Sequence, residues 1–397
     1  MTSALPRGFR DILPTEAREL HAIERSRMTT FARHGYVPLE PPTVEFAEGA
    51  VTVDERRTLR FLDRDGRLLA LRPDVTTAVA RVVAQRYREA DAALRLAYFT
   101  PIFREEASMR GSEREYDQAG VELIGDGSLR ADAEIIALLA DALARCGLLG
   151  VDIDIGHVGY VAGFIDELAE DARAAIGVAA RAGDFVGMAQ LARAGGMSST
   201  RVAALERGLR HRASDVDAAR KDAPAASRKA LDALDALAPL LEAAGIGGAV
   251  RFDLGFVPSL SYYTGIVFQV TVPDLGFPIA NGGRYDGLLA RFGADRPATG
   301  FGIAVPHLHQ ALVAAGWQAP TESPLLILTP HSDDATTLRA ATVLRAAGIA
   351  VAIGDVAEQA GQAVRRARVV DEANVEYEGV VRAIEAVVAV LTGRPAR

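Results

Sequence analysis

The first regular pattern along the chain is Leu20, Ile23, Met28 and Phe31 set among charged neighbours. That spacing puts one apolar stripe on a helix and predicts one over about residues 15–33. Gly35 follows it, and Pro38, Pro41 and Pro42 bound a short extended segment. RTLRFL and RLLALR then flank Asp63-Arg64-Asp65-Gly66, which predicts a β-hairpin over 58–72. Pro73 stops the second strand, and Asp74 stands in the N-cap position before VTTAVARVVAQRY. Strands are predicted at 96–104 and 115–124, joined by the polar loop EASMRGSER, and a helix at 130–146 leads to the alternating strand VDIDIG.

From 160 to 245 the pattern is helical and rich in Ala, with Gly-containing breaks and the polar stretch SDVDAARKDAPAAS. It predicts a helical insertion or lid. Strands resume at 249–254 and 262–272, followed by the Gly-rich loop NGGRYDG and a last strand near GFGIAV. QAPTESP reads as a linker. Beyond it PLLILTP, a helix at 333–347, Gly348 and the strand IAVAI predict a small α/β unit over 323–397. The linker bounds a main domain over 1–318.

Composition narrows the classes. With 49% hydrophobic and 24% charged residues, the chain is globular and neither disordered nor fibrous. Its net charge of −8 argues against a phosphate-dominated binder. The single Cys146 excludes a disulfide framework and a Cys-rich zinc module. Lys221 and Lys229 are the only lysines, so no P-loop is present. No uncharged apolar run of spanning length occurs, and Met1 leads into Pro, Arg and Asp rather than a signal peptide. The expected compartment is the cytoplasm, with no membrane partner.

The candidate chemistry lies in a few segments. On the strand 115–124, Tyr116, Gln118, Gly120 and Glu122 share one face. Two polar groups separated by Gly make a groove for a small ligand, although a solvated polar face has the same pattern. Arg104 ends the preceding strand and suits a carboxylate or phosphate, or is a surface charge. Asp74 with Thr76 either caps a helix or holds an ammonium group. Tyr262-Tyr263-Thr264-Gly265 reads as strand, NGGRYDG as a loop open to a ligand's approach, and Gly300-Phe301-Gly302 as a place where a planar ring could lie. His157, His307, His309 and Cys146 lack metal-ligand spacing and read as structural, and Arg365-Arg366-Arg368 reads as a solvated helix face.

Together these pieces are specific. PRGFRDILP at residues 6–14, Arg72-Pro-Asp74-Val-Thr76-Thr77, Phe103-Arg104-Glu105-Glu106, Gln118-Ala-Gly-Val-Glu122, Tyr262-Tyr263-Thr264-Gly265 and Gly282-Gly283-Arg284-Tyr285-Asp286-Gly287 resemble the motifs of histidyl-tRNA synthetases, in the family's order. The resemblance implies an α+β fold, a class II aminoacyl-tRNA synthetase-like antiparallel sheet flanked by helices, dimerising through the first helix and the strand near Pro41-Pro42. It implies a histidine pocket: Asp74 and Thr76 at the α-amino group, Gln118 and Glu122 deeper, Tyr262 and Tyr263 around the ring, Arg104 beside the carboxylate.

The ATP half departs from that family. Pro258 stands where the synthetases have an Arg, Ser259-Leu260-Ser261 replaces Gly-Leu-Asp, and Pro306-His307 replaces a terminal Glu-Arg. A loop Arg is Ser112 here, with Arg110 and Arg114 nearby. Adenylate formation needs cations fixed against phosphate, so these losses should remove it. The tail, residues 323–397, holds 8 Arg and 9 Asp or Glu, a net charge of −1, where a tRNA-reading domain should be basic. A synthetase-like fold with a histidine pocket and no ATP machinery resembles the regulatory-subunit paralogues of ATP phosphoribosyltransferase. That resemblance implies a non-catalytic subunit acting in histidine biosynthesis and its feedback inhibition. Its partners would be a short-form catalytic subunit, a second copy of itself and histidine as effector, with no tRNA, cofactor or metal. The alternatives are a histidine–tRNA ligase and a stand-alone histidine-binding regulator.

Overall fold

The computed structural model describes residues 5–49, 57–105, 113–210, 216–258, 260, 262–273, 275–320, 324–356 and 363–392. Glu106, Arg110, Ser112, Ser259 and Ser261 lie outside them. The chain forms two compact units, one of Met1–Asp11 with Ile23–Trp317, the other of Ile12–Ala22 with Gln318–Arg397.

The first unit is built on an eight-stranded sheet. After α1 (Pro14–Arg33), which belongs to this unit from Ile23 onward, come β1 (Val37–Pro38), β2 (Val44–Phe46), β3 (Arg60–Leu62), β4 (Leu68–Leu71), α2 (Val75–Arg86), β5 (Leu94–Phe103), β6 (Glu115–Ile124), α3 (Leu129–Arg145) and β7 (Asp152–His157). A helical block follows: α4 (Val158–Ile165), α5 (Glu170–Arg181), α6 (Phe185–Ala194), α7 (Ser199–Arg210), α8 (Val216–Lys221) and α9 (Ala225–Ala243). The sheet is completed by β8 (Val250–Phe252), β9 (Ile266–Thr271), β10 (Ala280–Arg284) and β11 (Ala298–Ala304), which runs into α10 (Val305–Ala314). The strand order is β1-β5-β6-β11-β10-β9-β7-β8, antiparallel except at the two edge pairs, β1 with β5 and β7 with β8.

Local chemistry sets the boundaries. Asp63 accepts from the backbone N–H groups of Asp65 and Arg67 and closes the hairpin, with Gly66 at φ +76°. Asp74 caps α2 by accepting from Thr77 N at 2.8 Å. α3, α9 and the part of α1 from Ile23 onward cover one sheet face, where Phe31 meets Phe301 edge to face at 5.8 Å. α2 lies on the other, packing Val75, Val79 and Val83 against Leu96, Tyr98 and Tyr285. β2, β4 and β3 form a separate small sheet.

Two expectations change in this unit. Tyr262–Gly265 precede β9 rather than form its start. Asn281–Arg284 belong to β10, a central strand paired on both sides, because glycines also suit a strand whose neighbours press close. A Cβ on Gly282 would sit 2.3 Å from the Phe268 ring and 2.5 Å from Gly300 O.

The second unit contains β12 (Leu325–Thr329), α11 (Asp334–Ala346), β13 (Val351–Ile353), β14 (Val364–Val369), β15 (Asn374–Tyr377), β16 (Val380–Ala383) and α12 (Ile384–Thr392), with strand order β13-β12-β14-β15-β16. Arg365, Arg366 and Arg368 are solvated as expected, but on β14 rather than a helix. Only Ala367 and Val369 are buried there, too short a repeat to fix the period in the sequence.

Arg27 on α1 is fully enclosed. Its Nη2 reaches Ser26 Oγ at 3.1 Å, while Nε and Nη1 have no hydrogen-bond partner and burial lowers its pKa, with Cys146 alongside. An enclosed, poorly paired charge costs stability. Arg27→Met should therefore raise Tm by about 2–4 °C or more, as measured by scanning calorimetry. A lower Tm would show that the guanidinium stabilises the helix contact after all.

Candidate functional site

The sheet register assembles the site. On β6, Glu122 lies opposite Gly300 of β11, Gly120 opposite Gly302 and Gln118 opposite Ala304, while Tyr98 of β5 faces Gly120 from the other side. The glycines are required by space. A Cβ on Gly300 would lie 2.0 Å from Glu122 Oε2, and one on Gly302 2.5 Å from Gln118 Nε2. A Cβ on Gly120 would lie 2.4 Å from the Tyr98 hydroxyl. Gly300 and Gly302 form part of the floor of a cavity of about 310 Å³.

Glu122 is its anchor, with 1% of its surface exposed. Thr76 Oγ1 donates to Oε1 at 2.7 Å, and the Tyr285 hydroxyl donates to Oε2. Tyr98 supplies a third hydroxyl. Burial pushes the carboxyl up to about 8, against the downward pull of these hydrogen bonds. Tyr262 and Tyr263, with ring centroids 4.7 Å apart, form an aromatic wall, and Tyr262 meets Tyr285 edge to face at 5.6 Å. Gln118 Oε1 is buried with no hydrogen-bond partner, an acceptor left for a ligand's N–H.

All seven residues singled out in the sequence line this cavity: Asp74, Thr76, Arg104, Gln118, Glu122, Tyr262 and Tyr263. Asp74 caps α2 and also lines the cavity. Arg104 Nε donates to Pro73 O at 2.7 Å, which holds the guanidinium at the strand end. Thr76 gives its proton to Glu122 rather than standing free at an ammonium site.

Other wall residues were not assigned from sequence. Tyr98 and Tyr285 reach the carboxyl only through the strand register, and the one local signal, for Tyr98 alone, is Gly120 amid large residues. Asn281 and Gln310 also line the cavity. His307, read as structural, is a wall residue too. It stacks on Phe277 at 4.2 Å and its Nδ1 lies 3.0 Å from Pro278 O. Its position at the start of α10, just past β11, brings it there. Pro258 and Pro306, which stand where the synthetases carry other groups, line the same cavity.

Arg284 does not. It points through the sheet to Asp132 of α3, at 3.0 Å, and to the carbonyls of Asp126 and Ser128. His157 caps α4, its Nδ1 accepting from Gly159 N, and burial lowers its pKa to about 4. Among the described residues no group of three His, Cys, Asp or Glu could hold a metal, and no helix is long and apolar enough to cross a membrane.

A family model described as histidyl-tRNA synthetase matches residues 8–308. An ATP phosphoribosyltransferase regulatory subunit from Moorella thermoacetica is 38% identical over 91% of this chain and 95% of that protein. The chain belongs to the ATP phosphoribosyltransferase regulatory subunit family. A Rubrobacter xylanophilus protein of that name is 37% identical over 93% of this chain and 90% of its own length. A Bacillus halodurans structure, described as an ATP phosphoribosyltransferase regulatory subunit/histidyl-tRNA synthetase, superposes with a TM-score of 0.80 at 31% identity, covering 93% of this chain and 99% of that one. Histidyl-tRNA synthetase from Nostoc sp. PCC 7120 shares the fold, with a TM-score of 0.76 at 19% identity over the whole of both chains. The fold is thus the class II synthetase-like one expected from the motifs, carried here in the regulatory-subunit family.

Proposed function

We propose that this chain is a non-catalytic, histidine-binding regulatory subunit of an ATP phosphoribosyltransferase, acting with a short-form catalytic subunit in the cytoplasm. One observation carries the reading. Seven residues that match the synthetases' histidine contacts converge on one cavity around a buried carboxyl, while Pro258, Pro306 and His307 occupy the same wall where cations for ATP are expected. The pocket for an amino acid with an imidazole is intact, and the phosphate-binding half is not. The site would hold histidine with its cationic groups toward Glu122 and Asp74, its ring against Tyr262 and Tyr263, and its carboxylate toward Arg104.

A homodimer fits the same picture. Val44, Phe46 and Phe61 expose 41%, 54% and 42% of their surfaces, and the strand register puts them on one face of the small sheet. Val37 on edge strand β1 is 56% exposed. This apolar surface lies along the segment that resembles the synthetases' dimer contact.

The test is assembly. The purified protein should co-elute with the short catalytic subunit, increase its ATP phosphoribosyltransferase rate, and make it inhibitable by histidine. Histidine-dependent ATP–pyrophosphate exchange should stay at background. Robust exchange would restore the ligase reading. No association and no change in rate would leave a stand-alone binding protein.

A further inference from the structure

The pairing of β9 with β10 ends at Val267 and Gly283, yet tyrosines of the cavity wall lie beyond that end on both chains, Tyr263 on one and Tyr285 on the other. Thr264 joins the two stretches. Its backbone N–H donates to Arg284 O at 2.8 Å. Its hydroxyl accepts from Asp286 N at 3.0 Å and donates its own proton to Arg284 O at 3.4 Å. A hydroxyl can accept and donate at once. This one grips the residue before Tyr285 and the residue after it.

The gripped segment is fixed on its other side by β11. Asp286 Oδ1 accepts from Ala298 N at 3.0 Å, and Tyr285 N donates to Ala298 O at 2.8 Å. Between these two sets of bonds the Tyr285 hydroxyl meets Glu122 Oε2, and its ring lies edge to face with Tyr262. A hydrogen bond depends on direction as well as distance, so a small rotation of the 284–286 backbone carries the phenol out of line with the carboxyl. Thr264 itself is exposed and does not line the cavity.

We propose that Thr264 is a positioning residue for the histidine site: without touching the ligand, its hydroxyl holds the backbone on both sides of Tyr285 and so keeps the phenol on Glu122. This rests on the reading that histidine occupies the cavity.

Titration calorimetry of the full chain with histidine tests it, across Thr264→Val, Thr264→Ser, Tyr285→Phe and the double variant Thr264→Val with Tyr285→Phe. Valine keeps the shape and removes the hydroxyl, and should weaken histidine about fivefold. Serine keeps the hydroxyl and should stay within about twofold of the wild type. Tyr285→Phe should weaken histidine about tenfold, and adding Thr264→Val no more than about twofold further, because the hydroxyl then has no phenol to place. Full additivity would mean that Thr264 steadies the loop and nothing more, which overturns the proposal. So would an unchanged affinity in Thr264→Val or in Tyr285→Phe, or a serine as poor as valine. Loss of folding in Thr264→Val, seen in its Tm, counts against it too, since the side chain would then be structural. Failure of the wild type to bind histidine overturns the underlying reading, and the first titration alone reveals it.

Discussion

Glu122→Gln should weaken histidine binding by about tenfold or more while making the empty protein more stable in alkaline solution. Both effects come from one buried carboxyl. Burial raises its pKa from 4.5 to about 8, so folding takes up a proton at this site. The stability it contributes is therefore complete below about pH 4.5 and is lost as pH rises through 8. At pH 9 the wild-type chain buries a full negative charge, a penalty of a few kcal/mol that the neutral amide avoids. The gap in Tm between Glu122→Gln and wild type should widen from pH 5 to pH 8 and level off above it. Parallel profiles would show that the carboxyl is not held up by burial. A bound cationic group reverses the shift, so binding below pH 8 should release a proton, seen as a calorimetric enthalpy that depends on the buffer.

Gly300→Ala should be severely damaging, and Gly302→Ala a mild change. At Gly300 the new Cβ meets Val121 O at 2.4 Å as well as Glu122 Oε2, and backbone in the middle of an eight-stranded sheet cannot step aside. A loss of about 3 kcal/mol or more is expected, with no measurable histidine binding. At Gly302 the nearest atoms belong to the Gln118 amide, which can rotate away. That variant should fold with nearly normal Tm and bind histidine about tenfold more weakly, since Gln118 is displaced. Chemical denaturation paired with calorimetry checks both, and equal stability of the two variants would contradict the floor geometry.

What the sequence could show depended on how local the cause was. Helix α2 was legible because Pro73, Asp74 and an apolar run mark its start within a few residues. β6 was legible because alternation along one strand needs no knowledge of its neighbours. The role of Tyr98 was not, since it depends on Tyr98 lying opposite Gly120, a pairing set by the whole hairpin. The segment Asn281–Arg284 misled for a related reason. Its glycines relieve pressure from Phe268 and Gly300 on neighbouring strands, and nothing within the segment distinguishes that from a turn. His307 reads as structural because it lacks metal-ligand spacing, and its place in the wall depends on the run from β11 into α10, which no local pattern marks. The histidine-site assignment itself came from motif resemblance, which supplies roles that alternation and spacing leave open.

Arg284 and Tyr285 are neighbours in the chain, yet they serve opposite sides of the sheet. The guanidinium fastens the start of α3, and the phenol holds the carboxyl at the base of the cavity. The two anchors share one peptide plane, so a backbone shift at either position moves a support of both faces.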